Sequence, residues 1–232
     1  MGCSSVAPGI FRQQFIAYAI QNSSQKYPAL DIGAAYGVAT LPAVRGGAWV
    51  IANDLDQRHL TALMLQLNHE SEEIKQRLTV KLGCILNEIE FPENSLSAIL
   101  ISAVLHFFTG KEIERLMAKM YRWLKPGGKL FTQSFSPYLN TLQQAGVTEQ
   151  YEIRRAQGEK WPGCFPYFTR EFGDKHAWYW PDTMHFLDAD VLKKILEKAG
   201  FIHHQIHYTP FPQFKDGVFT LGCDSILSVC DK

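Results

Sequence analysis

The stretch YPALDIGAAYGVAT, residues 27 to 40, constrains the fold more than any other part of the chain. An apolar run of strand length ends in a carboxylate, Asp31, and passes straight into a turn carrying Gly33 and Gly37. The next residues, VATLPAVRG, read as a helix closed by Gly46 and Gly47. Pro42 falls in its early turns, where a missing N–H is tolerated. Strand, glycine turn and helix in that order open an α/β unit. Gly33 permits the sharp turn, and Gly37 lets the helix start close to a bound ligand.

The alternation continues along the chain. AWVIAND is a second strand, apolar until Asn53 and Asp54, and QRHLTALMLQLNHE is a helix with Leu60, Leu63, Met64 and Leu67 on one face. LTVKLG and SLSAILISAV supply a third and a fourth strand. Thr109 and Glu112 form a capping-box pair at the start of the clearest helix. Its apolar stripe is Ile113, Leu116, Met117, Met120 and Leu124, and the Lys125–Gly128 run, KPGG, stops it. KLFTQSFS is a fifth strand, and DADVLKKILEKAGF a helix with Asp188 as N-cap and Gly200 as stop. FIHHQIHY and SILSVC are the last two strands, and an amino-terminal helix places Phe11, Phe15, Ile16 and Ala19 at helical spacing.

Such spacing predicts a mostly parallel sheet with helices on both faces and a ligand crevice beyond the strands' carboxyl ends. Asp31 and Asp54 sit at two of those ends. Buried carboxylates are costly without partners, so a pair in one crevice favours a ligand. Asp54, about twenty residues after the glycine turn, suits a ribose diol.

Composition narrows the function classes. The chain has 232 residues, with 23 basic and 23 acidic side chains, so no nucleic-acid groove is announced by charge. Five scattered cysteines without a C-x-x-C pair read as free thiols in a reducing compartment, with no metal site, and His203, His204 and His207 as strand-surface residues. No apolar run reaches membrane-spanning length, and MGCSSV has Val6 where an acylation signal wants Ser or Thr. A cytoplasmic protein without membrane or nucleic-acid partners is expected.

Asp31-Ile-Gly-Ala-Ala-Tyr-Gly37, then Asn53-Asp54-Leu55-Asp56, Gly83-Cys84, SLSAILISAVLHFF and LKPGG resemble, in order and spacing, the successive motifs of class I S-adenosylmethionine-dependent methyltransferases. The likeness covers about 27–136 and resumes at the FLDADVLKKILEKAGF helix. It implies a Rossmann-like sheet of seven strands, the last antiparallel, and S-adenosylmethionine as cofactor with S-adenosylhomocysteine as product. It also implies that Asp31, Gly33, Ala34 and Gly37 shape the loop around the cofactor's methionine part and ribose. Asp54 would take the ribose hydroxyls and Leu55 the adenine face. Cys84 and Ile85 would lie at the adenine edge, and Ser102 and Ala103 on the floor near the sulfonium. Two positions depart from the family: Ala35 stands where a third glycine is frequent, and Cys84 where an acid is. A thiol is a weak partner, and one lost hydrogen bond is worth about 1 kcal/mol.

Rival readings exist. The glycine loop also resembles that of NAD(P)-dependent short-chain dehydrogenases, and Tyr121-x-x-x-Lys125 mimics their catalytic pair. Against this, Tyr121 and Lys125 close an amphipathic helix, and Asp31 would stand near a dinucleotide's phosphates. A catalytically silent cofactor-binding partner protein and a protein methyltransferase are further alternatives to a small-molecule acceptor. Neither an Asn/Asp-Pro-Pro-aromatic motif nor a Pro-Cys nucleophile marks a DNA base methylase.

Methyl transfer needs alignment, worth roughly 7–11 kcal/mol, and a base only when the acceptor must lose a proton. His106, just past the fourth strand, is the candidate catalytic base, its bland counterpart being a packed histidine; His176 and His185 are weaker candidates. Residues 1–26 form an amino-terminal helical segment ahead of a methyltransferase domain, 27–232, with an insertion at about 137–183. That insertion, rich in aromatic residues such as Tyr138, Tyr151, Trp161, Phe165 and Phe168, is expected to cap the crevice and form the acceptor pocket.

Overall fold

A computed structural model describes residues 9–172, 181–210 and 223–232. Its central sheet contains β1 (Ala29–Ile32), β2 (Val50–Asp54), β3 (Leu78–Leu82), β4 (Leu96–Ser102), β5 (Leu124–Phe135), β8 (Ile202–Thr209) and β9 (Ser225–Asp231). The order is β3-β2-β1-β4-β5-β9-β8. The first five strands are parallel, and β9 runs antiparallel between β5 and β8. This is the seven-stranded, Rossmann-like methyltransferase sheet expected from the sequence. A second, two-stranded ladder pairs β6 (Cys164–Phe165) with β7 (Met184–His185).

The helices are α1 (Ile10–Asn22), α2 (Thr40–Arg45), α3 (Gln57–Leu65), α4 (Glu72–Lys75), α5 (Gly110–Trp123), α6 (Asn140–Gln144), α7 (Val147–Ala156), α8 (Phe168–Phe172) and α9 (Ala189–Ala199). Alternation along the strands divides the core. Leu30, Ile32, Ile99 and Ile101 point to a cluster with α5 and α9, whereas Ala29, Ala98, Leu100 and Phe131 point to one with α1 and α2. On that second face, Phe11 and Phe15 meet Phe131 edge-on, with centroids 6.2 and 5.6 Å apart. The amino-terminal helix is thus packed directly on the sheet.

Helix α5 starts at the Thr109–Glu112 capping box, and Asp188 caps α9 by accepting the Val191 N–H at 2.7 Å. One boundary differs from the sequence reading. Strand pairing resumes at Leu124, opposite Leu96, and then jumps to Lys129 opposite Ala98. The KPGG run therefore bulges out of the start of β5 instead of preceding it, because Gly127 takes a φ of +73°.

The inserted segment contains α6, α7, β6, α8 and β7. It gathers Leu139, Leu142, Val147, Phe165, Phe168, Met184 and Phe186 into an apolar cluster of its own, with Phe135 of β5 against it.

Candidate active site

The crevice beyond the carboxyl ends of β1, β2, β3 and β4 brings together most of the residues singled out in the sequence. Asp31, in β1, is 4% exposed, and its Oδ2 accepts from the Thr40 hydroxyl of α2 at 2.6 Å. Burial pushes its carboxyl up to about 6, against the pull of the Thr40 bond and the nearby Arg12 charge; Asp54 adds a further upward push.

The loop after β1 is fixed by its backbone. The Gly33 and Ala34 N–H groups both donate to the Asn53 carbonyl, at 2.9 and 3.0 Å. Gly33 has φ +69°, and a Cβ there would lie 2.4 Å from Val104 Cγ2, so only glycine fits. Gly37 has φ +81°, but a Cβ on it would meet Leu63 at 2.9 Å. Its glycine thus serves the loop's packing on α3, as well as the turn. Ala34 is buried against Ala52, Leu60 and Leu63. Ala35 takes a left-handed φ of +46°, costing a non-glycine residue about 1 kcal/mol.

That conformation aims the Ala35 N–H at Asp54 Oδ2, 2.9 Å away. Asp54 Oδ1 accepts from the Asp56 N–H at 2.9 Å and faces His59 Nδ1 at 3.2 Å. A carboxylate offers about four acceptor positions, so capacity remains beside these contacts. Leu55 follows with its side chain 72% exposed, an apolar surface at the mouth of the crevice.

Across the crevice, the Cys84 N–H donates to Glu88 Oε2 at 2.7 Å. Ile85 is 3% exposed and belongs to the main core, so its side chain faces inward. The Lys119 ammonium of α5 ties this loop down through the carbonyls of Ile85, Leu86 and Ile89, at 3.3, 2.9 and 3.0 Å. At the end of β4, Ser102 Oγ donates to Gln133 Oε1 at 2.9 Å and accepts from Arg12 Nη2 at 3.1 Å. Ala103 takes a φ of +56°, its N–H donating to the Gln133 carbonyl at 2.9 Å.

His106 lies in the 3-10 turn Leu105–Phe107 and is 5% exposed, its ring centroid 4.0 Å from that of Phe107 and 4.7 Å from that of Phe135. Nδ1 is buried without a hydrogen-bond partner, and burial drives the imidazole down to about 3. The ring is therefore neutral across the ordinary pH range. His185 is held low too, at about 4, chiefly by burial, with Nδ1 3.1 Å from the Phe108 carbonyl oxygen and Trp161 edge-on. His176 lies outside the described residues, as do the acylation-like start and Cys3.

The Tyr121–Lys125 pair of a dehydrogenase is not assembled. Tyr121 packs edge-on against Phe201, 5.2 Å between centroids, and the Lys125 ammonium lies 5.1 Å from the Tyr27 ring centroid. Among the described residues no three His, Cys, Asp or Glu side chains form a group able to hold a metal ion. No helix among them is long and apolar enough to cross a membrane.

Sequence reasoning missed Arg12, Asn53, Glu88, Lys119 and Gln133. Asn53 carried the clearest signal, an amide inside an apolar strand. Its Nδ2 bridges the Lys81 and Gly83 carbonyls, at 3.0 and 2.9 Å, and joins the ends of β2 and β3. Arg12 carried none, since its partner Ser102 lies ninety residues away.

Residues 30–132 match the family described as a methyltransferase domain. A curated ubiquinone/menaquinone biosynthesis C-methyltransferase of Burkholderia multivorans is 24% identical over 174 residues, 75% of this chain and 67% of that protein. Its namesake in Photorhabdus laumondii is 32% identical over 122 residues, covering 52% of this chain and 44% of its own length. The chain likewise spans less than half the length of the Vibrio cholerae and Escherichia fergusonii namesakes, at 40% and 41%.

Among solved structures, an S-adenosylmethionine-dependent methyltransferase of Methanosarcina mazei superposes with a TM-score of 0.65 at 17% identity, covering 98% of this chain and 99% of the other. A phosphoethanolamine N-methyltransferase 2 of Haemonchus contortus, solved with phosphomonomethylethanolamine and S-adenosylhomocysteine, gives 0.65 at 16%, covering 100% and 55%. Residues 30–132 thus match a methyltransferase-domain family, and the chain shares the fold of S-adenosylmethionine-dependent methyltransferases.

Proposed function

We propose that the protein transfers the methyl group of S-adenosylmethionine to a nucleophilic atom of a small-molecule acceptor held between the strand-end crevice and the 137–183 segment. The observation that carries this is the pair of acids at the ends of adjacent strands, Asp31 and Asp54, flanking a glycine loop that only Gly33 can form. These residues suit the donor. Asp54 has acceptor capacity for a diol, the exposed Leu55 offers an apolar face to a purine, and the turn at Gly33 leaves no side chain of its own over the loop. When bound, the donor supplies an electrophilic methyl group on a sulfonium. The protein's share is alignment: Asp54 fixes the nucleoside, the loop at 33–37 encloses the amino-acid part, and Ser102 and Ala103 form the floor.

The acceptor class draws support from the size of the space and from the relatives. A cavity of about 430 Å³, within the range of small-ligand pockets, adjoins Arg12, Gln133 and Leu227 at the carboxyl end of β5. The curated relatives are named for ubiquinone/menaquinone biosynthesis, and one solved neighbour is bound to phosphomonomethylethanolamine. His106, neutral and with a buried unpaired Nδ1, acts as a hydrogen-bond acceptor toward the nucleophile through its unprotonated ring nitrogen; with its conjugate acid at about 3 it carries no positive charge.

Incubation with methyl-labelled donor and pooled small-molecule fractions tests this reading. Label should pass into a low-molecular-weight product with stoichiometric S-adenosylhomocysteine. Label confined to polypeptide would give the acceptor role to protein, and binding without turnover would leave a catalytically silent binder.

A further inference from the structure

Two groups donate to Asp54 Oδ1, the Asp56 N–H at 2.9 Å and the His59 ring through Nδ1 at 3.2 Å, while Oδ2 accepts from the Ala35 N–H at 2.9 Å. An ionised carboxylate only accepts, so Nδ1 carries the proton in this contact. Each carboxylate oxygen has about two acceptor positions. Oδ1 is therefore full, and the open position is on Oδ2. A ribose diol meets a carboxylate with one hydroxyl to each oxygen. The full oxygen must release a partner before the second hydroxyl can bind.

Of the three partners, the imidazole is the one free to leave. The Ala35 N–H belongs to a loop pinned by the Gly33 and Ala34 bonds to the Asn53 carbonyl. The Asp56 N–H belongs to the residue that caps α3, where its side chain accepts the Arg58 N–H at 2.8 Å. His59 stands on the same helix, anchored by buried Leu60 and Leu63, but its ring turns on side-chain torsions and can swing while α3 stays in place. Its side chain is 32% exposed, against 11% for that of Asp54, so solvent lies on its outer side. The ring also rests against Tyr36, with centroids 4.8 Å apart and planes at 58°. In this resting position it joins the acid of β2 to the loop at 33–37.

We propose that His59 is a displaceable stopper on the donor site: its Nδ1–H occupies the place on Asp54 that a ribose hydroxyl takes, and donor binding turns the ring away. This rests on Asp54 being the group that holds the ribose. It makes His59 a residue that lowers affinity for the donor, and only for ligands that carry the diol.

Nitrogen–proton correlation spectra of the histidine rings, recorded in mildly alkaline buffer, report the exchange directly. With the His59 signals assigned by their loss in His59→Ala, the proton should sit on Nδ1 in the free protein. It should move to Nε2, the form imidazole prefers in water, on saturation with S-adenosylhomocysteine. Calorimetric titration gives the size of the effect. His59→Ala should bind S-adenosylhomocysteine about three- to tenfold more tightly, the change expected for one hydrogen bond. It should bind the 2′,3′-dideoxy analogue within twofold of wild type, which also shows that the variant is folded. His59→Asn, whose amide keeps a donor near the Nδ1 position, should stay within twofold of wild type for both ligands. A proton that remains on Nδ1 in the complex, weaker binding by His59→Ala, or an equal gain for both ligands overturns the displacement and leaves the ribose role of Asp54 standing. Wild type that binds S-adenosylhomocysteine no better than the dideoxy analogue, or binds neither, overturns the ribose role itself.

Discussion

The cofactor side of the crevice and the described part of the 137–183 segment both lie at the carboxyl ends of the parallel strands but are held by different forces. Around Gly33, Asp54 and Cys84, most contacts are hydrogen bonds donated by backbone N–H groups to a carbonyl or a carboxylate near a strand end. Such bonds depend on main-chain geometry and tolerate few substitutions. The inserted segment instead rests on its apolar cluster around Phe165, Phe168 and Phe186 and touches the sheet through Phe135. Apolar packing accepts many residue sets of similar volume. One region is therefore suited to a fixed ligand, and the other to an acceptor that varies between proteins.

Removing the inserted region should break the comparison most visibly. Deletion of residues 150–180 is expected to abolish methyl transfer while S-adenosylhomocysteine still binds; a calorimetric titration showing that binding is lost as well would join the two regions into one site. Next in size is His106→Asn, expected to lower kcat about a hundredfold with donor affinity unchanged. Because the wild-type imidazole is already neutral, the pH–rate profile between 6 and 8 should show no step that this substitution removes.

A smaller effect separates stability from function within the cofactor side. Asp31 titrates at about 6 in the folded protein, with Arg12, Asp54 and the Thr40 hydroxyl as its neighbours, above the ordinary carboxylate value. The folded state thus binds the proton more tightly than the unfolded chain, and stability falls as pH rises from about 4 to 6 and stays lower above. Asp31→Asn should remove that slope and stabilise the ligand-free protein at pH 7 by on the order of 2 kcal/mol in urea denaturation. A parallel pH dependence for both proteins would deny the burial cost. The smallest change, Ala35→Gly, should raise stability by about 0.5–1 kcal/mol through relief of the left-handed backbone. A lower melting temperature would show that the methyl group is packed and not strained.

Much of the cofactor side was legible in the residue order, because a glycine turn, an acid at a strand end and a capping box each act over four or five residues. Asp31, Gly33, Asp54 and Thr109 fall where local rules put them. What escaped was set by distant chain segments meeting. Arg12 reaches Ser102 only because α1 folds back over β4, and Lys119 reaches the loop after β3 only because α5 lies beneath it. Ile85 looked like a residue of the adenine edge, yet its side chain belongs to the core, since strand-end position alone does not say which way a side chain turns. The bulged start of β5 was hidden for a related reason: Pro126 and the two glycines punctuate a helix end as readily as an interrupted strand.

The central claim concerns Asp54, whose carboxylate is held at the end of β2 by the Ala35 and Asp56 N–H groups. Equilibrium titration of wild type and Asp54→Ala with S-adenosylhomocysteine tests it most directly. Saturable one-to-one uptake by wild type, weakened at least tenfold in the variant, is the expected result. The same affinity in both proteins, or capture of NADPH in place of the nucleoside thioether, would contradict it.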